Sequence, residues 1–187
     1  VFTGWAVTWM FGLGIGETAF IVLTVLILGG VIGHLTFGWL GDYLEKRGME
    51  NGRVIIILVG LITMLSSFLA LVFFGANGVP MLITFGVLYT SSSSASAEGV
   101  SWPIGQAVLP PELRGRGRAI INMLAGAVAA LMLIVSGTLA DQVGITTMLQ
   151  IMIPVPILLS ILLWLPMLRD YSPDRAALEA SLTERQA

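Results

Sequence analysis

Charge is almost absent from two long stretches of this chain and concentrated where they meet. Residues 18–41 hold no Asp, Glu, Lys or Arg, and neither do 54–74, whereas six of the sixteen residues 38–53 are charged. Each stretch supplies the ~20 apolar residues that a helix needs to cross hydrocarbon, so the charged segment reads as a loop at a bilayer surface. The same pattern predicts a third span at 80–109, ended by Pro110-Pro111, a fourth at 119–140, a turn at 141–144 and a fifth at 145–168. Residues 1–13 are apolar but too short to span, and Gly12, Gly14 and Gly16 follow as a turn, which predicts the outer end of a partial helix. A helix bundle over 1–168 and a polar tail over 169–187 are the result. In the tail, Ser172-Pro173 predicts a helix start with Ser172 as N-cap, and Leu178 and Leu182 lie four apart on its apolar face.

Composition agrees with a membrane setting. The chain is 56% hydrophobic and 11% charged, with mean hydropathy +0.93, against about 25% charged residues in soluble domains. No period-2 alternation appears, so the predicted fold class is an all-α polytopic bundle and not a barrel. Val1 begins inside an apolar stretch, with no basic region before it and no initiator Met, so a fragment is expected. With no cysteine, one histidine and no His-Glu-x-x-His, neither a metal site, a cofactor nor an enzymatic centre is expected. A net charge of −2 gives no reason to expect nucleic acid as a partner.

The placement of charge carries more than its sum. All nine basic residues fall into three segments: Lys46, Arg47 and Arg53; Arg114, Arg116 and Arg118; Arg169, Arg175 and Arg185. Five crossings put all three segments on one side, which the positive-inside rule makes cytoplasmic. A multi-pass protein of the plasma (inner) membrane with a cytoplasmic C-terminus is the expectation.

Candidate chemistry lies in the third span. Ser91, Ser94, Glu98, Ser101, Trp102 and Gly105 share one face at helical spacing. Glu98 stands eleven residues before Leu109, roughly 16 Å along a helix and hence near the middle of the hydrocarbon core. An ionisable group at that depth costs about 2.5–3.5 kcal/mol on insertion scales and usually marks a proton or substrate path; hydrogen bonding to serines for packing is the other reading. His34 is a second, weaker candidate, on a face with Gly30, Gly38 and Gly41, where it would more often bond a neighbouring helix. Gly29 and Gly33, and Ala125, Gly126, Ala129, Ala130 and Gly137, have the spacing of helix-packing seams. Asp42 sits at the negative end of its own helix dipole and needs a positive partner, from Lys46, Arg47 or a neighbouring helix N-terminus.

Gly38, Asp42, Lys46 and Arg47 resemble the signature loop of the major facilitator superfamily, Gly-x-x-x-Asp-(Arg/Lys)-x-Gly-(Arg/Lys)-(Arg/Lys). Tyr43 replaces a basic residue of that pattern and Glu45 replaces its glycine. The second loop, from Pro110 through Glu112, Arg114, Gly115, Arg116 and Gly117, resembles the family's Pro-x-x-x-Arg-Gly-x-(Gly/Ala) stretch, and Gly137-Thr138-Leu139-Ala140-Asp141 fits the Gly-x-Leu-x-Asp ending of the helix that follows. The resemblance implies the C-terminal half of a secondary transporter, helices eight to twelve with 1–13 the remnant of helix seven. It also implies a loop that latches this half to an N-terminal half, a solute cavity between the halves, and lipid and a small-molecule solute as partners. Glu98 favours proton coupling; an ion-independent facilitator or exchanger, or a non-transporting scaffold, are the alternatives.

Overall fold

A computed structural model describes residues 19–74, 77–96 and 98–185; the partial helix expected at 1–13 lies outside the described residues. The described residues form helices without strands. They are α1 (Ala19–Lys46), α2 (Gly52–Phe74), α3 (Val79–Ser93), α4 (Glu98–Val108), α5 (Pro111–Val143), α6 (Ile145–Met152), α7 (Pro154–Trp164) and α8 (Met167–Glu184). Among the described residues, four segments are long and apolar enough to cross a membrane by length and composition: Ile21–Lys46, Gly52–Phe74, Pro111–Val143 and Ile145–Trp164, the last comprising α6 and α7.

α2 is the central helix. Of its most apolar window 44% is buried, against 6% for that of α5, although the two are similarly hydrophobic. Val54, Ile56, Ile57, Leu58, Leu61 and Phe68 of α2 meet α3, α4 and α7 in the main apolar cluster. α5 stands at the edge between α4 and α6, burying only Ser136 and Ala140. Its 33 residues rise about 50 Å, more than a bilayer core, and its first two turns carry Glu112 and three arginines. An apolar helix so little covered by its own chain is compatible with lipid or another protein as its neighbour, not with water.

Apolar burial gives helices little reason to associate in lipid, so close packing and hydrogen bonds must do it. α1, α2 and α3 meet through glycine. A Cβ on Gly33 of α1 would stand 2.4 Å from the Ser91 carbonyl oxygen, and one on Gly60 of α2 would stand 2.1 Å from the Ala95 Cβ. The segment around Ser91 and Ala95 is thus held between two glycines.

The third span is interrupted: α3 ends at Ser93, Ser94–Ser96 forms a 3-10 turn, and Glu98 opens α4. Short hydroxyl side chains explain the break by offering the backbone alternatives to the helical ladder. Thr90 Oγ1 donates to the Gly86 carbonyl (3.0 Å), Ser93 Oγ to Thr90 (2.7 Å) and Ser96 Oγ to Ser93 (3.0 Å). The fifth span divides at Ile153 because Pro154 lacks the N–H that would continue the ladder.

Three elements differ from the sequence pattern, and the first is the fourth span: α5 takes in the second loop from Pro111 and runs to Val143, so that only Gly144 separates it from α6. α1 continues past residue 41 to Lys46, and the connection is only 47–51, closed by a Schellman turn. Met49 N–H bonds the Leu44 carbonyl (3.1 Å), Gly48 N–H that of Glu45 (2.9 Å), and Gly48 takes φ +81°, which favours glycine. The tail helix starts at Met167, just after Pro166, and runs through Pro173. Ser172 is therefore inside α8 and not its N-cap; its hydroxyl donates to the Glu50 carboxylate instead.

Candidate functional site

The serines of the third span bond α1 across the helix interface. Ser91 Oγ donates to the Gly29 carbonyl (2.8 Å) and Ser94 Oγ to the Gly30 carbonyl (2.9 Å). His34 Nδ1 lies 2.9 Å from the same Gly30 oxygen, and because a carbonyl only accepts, the proton of that bond belongs to Nδ1. Two donors therefore converge on Gly30, leaving Nε2 of His34 available for another partner. His34, Thr90, Ser93 and Ser94 line a cavity of about 400 Å³ between α1, α2, α3 and the α6–α7 region, whose other walls are mainly apolar, among them Leu26, Phe68 and Leu149.

The break divides the polar face expected of a continuous helix. Ser91 and Ser94 belong to the α1 seam, whereas Trp102 lies further along α4 with the Arg118 guanidinium stacked 4.6 Å from its ring centroid. Ser101 is half-buried. Glu98 is the first residue of α4, a helix start at the depth where sequence alone places mid-helix.

A second polar centre gathers at the C-terminal end of α1. Asp42 finds its positive partner in Arg53, the second residue of α2: Nη2 lies 2.8 Å from Asp42 Oδ1 and 2.9 Å from Glu45 Oε2. The Arg53 side chain is 13% exposed and Asp42 60%, so the shared cation lies beneath a wet carboxylate. Arg47 is used differently, its guanidinium 4.6 Å from the Tyr43 ring centroid, with Tyr43 itself stacked on Trp39. Gly38, the first residue of the signature, has open space where a Cβ would stand. Lys46 closes α1 in its last turn, a favourable end for a cation.

α8 folds over this loop. Arg175 Nη1 reaches Glu45 Oε1 at 3.1 Å while its Nε bonds Glu179 at 3.0 Å, and Asn51 Nδ2 donates to the Leu168 carbonyl at 2.8 Å. Tyr171 is fully buried there, its hydroxyl without a hydrogen bond of good geometry. Burial first, then the Glu45 carboxylate, holds its phenol above the ordinary value. The second loop joins the same end: Arg185 Nη1 lies 3.4 Å from Glu112, and Arg114 Nε donates to the Leu109 carbonyl at 3.1 Å. Arg116 is exposed.

The family model described as Major Facilitator Superfamily matches residues 2–186. The chain belongs to the major facilitator superfamily. No curated protein and no solved structure matches it. Members of this family are membrane transporters and not enzymes, so the chain is a multi-pass membrane protein whose partners are lipid and a small solute.

In this transporter, sequence reasoning missed Arg53, Glu45 and Arg175 as working partners. Arg53 stands eleven residues beyond Asp42, on the far side of the loop, and only a tight turn at Gly48 brings the two together. Replacing Arg53 with Gln is expected to destabilise the α1–α2 connection by about 2 kcal/mol, because two carboxylates then face each other without their cation. Arg53→Lys, which keeps the charge but loses the planar fork, should recover part of that loss. Thermal unfolding in detergent checks both.

Proposed function

We propose that this chain is the C-terminal half of a proton-coupled secondary transporter that moves a small solute by alternating access. The observation that supports the reading is the discontinuous third span, in which Ser93 and Ser94 at the break line a cavity with His34, and Glu98 opens α4 just after it. Broken helices at membrane depth are tolerated where they line a cavity, and in transporters they commonly frame the substrate and ion sites. Glu98 is the proton carrier in this reading, Ser101 and Trp102 border the solute path, and His34 Nε2 is a secondary proton acceptor. Ser91 and Ser94 fix the wall. The loop with Gly38, Asp42, Lys46 and Arg47 contacts the N-terminal half, and the end carrying all nine basic residues faces the cytoplasm of a plasma (inner) membrane, with Glu112, Arg114 and Arg116 beside it.

Reconstitution of the full-length transporter tests the reading. An imposed pH gradient should drive solute accumulation, and collapsing the gradient with a protonophore should leave only equilibration. Equilibration unaffected by pH would favour a facilitator or exchanger, and a protein that moves no solute would be a scaffold.

A further inference from the structure

Where the family signature has glycine, this chain has Glu45, and that carboxylate is divided between two arginines of different helices. Its Oε2 holds Arg53 of α2 at 2.9 Å and its Oε1 holds Arg175 of α8 at 3.1 Å. Charge alternates along the whole line, Asp42, Arg53, Glu45, Arg175, Glu179, every link 3.1 Å or shorter. Two hydrogen bonds that are not ion pairs flank it, Ser172 to the Glu50 carboxylate and Asn51 to the Leu168 carbonyl, and Tyr171 is buried among them. A glycine at 45 would leave Arg53 to Asp42 alone and Arg175 to Glu179 alone.

We propose that α8 is a strap on the signature loop, with Glu45 as its receptor, and that its engagement sets how firmly Asp42 is held within this group of helices. The inference rests on the transporter reading above and adds to it a control of the conformational cycle. The relay follows from charge sharing. While Arg175 neutralises one oxygen of Glu45, Arg53 remains divided between Glu45 and Asp42. Withdrawal of Arg175 leaves Glu45 without its outer cation, and it draws Arg53 inward. Asp42, the exposed member, is then released to make contacts elsewhere. The strap thereby converts a movement of the tail into a change in the availability of one carboxylate.

The test uses a cysteine-free full-length transporter. Met49→Cys with Ala176→Cys places thiols on the two walls of the cleft between the loop and α8, where a disulfide should form under mild oxidation. The rate of conformational exchange, read without solute by a fluorescent probe at the basic end, should change about threefold in Arg175→Gln and in Glu45→Gly. Neither substitution should change it further once Asp42→Asn is present, because the relay then has no end. No disulfide, an unchanged rate in Arg175→Gln, or effects of Arg175→Gln and Asp42→Asn that simply add would each overturn the strap. Absence of solute flux in the wild type strikes only the transporter reading, since cross-link and exchange are measured without solute.

Discussion

Gly33→Ala should destabilise the bundle by about 3 kcal/mol, the upper part of the range for overpacking. The added Cβ would meet three backbone atoms of Ser91, at 2.4, 2.7 and 2.9 Å, and no side chain there can rotate away. Relief requires α1 and α3 to separate, which also stretches the Ser91–Gly29 and Ser94–Gly30 hydrogen bonds. The usual gain of helix propensity on replacing glycine, about 1 kcal/mol, offsets only part of this. Gly126→Ala is the control, because a Cβ there meets nothing within 4 Å. Unfolding in mild detergent should separate the two variants clearly; equal melting would mean that α1 and α3 do not approach each other as closely as the glycine seam requires.

Glu98→Gln should abolish uphill accumulation of solute while sparing binding and exchange. Gln keeps the size and hydrogen-bonding capacity of the neutral acid but cannot release a proton, so only steps that need proton exchange are lost. Across 18–41, 54–74, 80–109, 119–140 and 145–168, Glu98 is the one acidic residue, and the intervals hold no Lys or Arg. An ionisable group inside a span is the default candidate for proton handling. Continued accumulation against a gradient by Glu98→Gln, with unchanged pH dependence, would remove the coupling role and leave Glu98 as a packing residue.

Much of the fold could be read from charge contrast. An uncharged run such as 54–74 has few other uses than crossing lipid, and Pro110-Pro111 leaves a helix little choice but to end. The break at Ser94–Ser96 was less legible, because serine hydroxyls satisfy a helix's own carbonyls or a neighbour's equally well. Only the approach of Gly29 and Gly30 decides that Ser91 and Ser94 bond across to α1. The polar centre was harder still. Asp42 announces the need for a positive partner by its place on the helix dipole, yet spacing offers only Lys46, Arg47 or a neighbouring helix N-terminus. Turn geometry at Gly48 selects Arg53, and a helix over a hundred residues downstream supplies the next cation. Ser172-Pro173 carries a genuine N-cap signal, but Pro166 lies six residues earlier and starts the helix first.

That downstream contact has a bearing on biogenesis. Glu45 and Arg175 are 130 residues apart, Glu50 and Ser172 122, and Asn51 and Leu168 117, so the loop after α1 is fastened by a helix synthesised long after it. Pairings between such distant residues come late, because the whole intervening chain must be ordered first. Throughout synthesis of the spans between them the loop therefore waits with Glu45 and Glu50 unsealed, and only the arrival of α8 closes it.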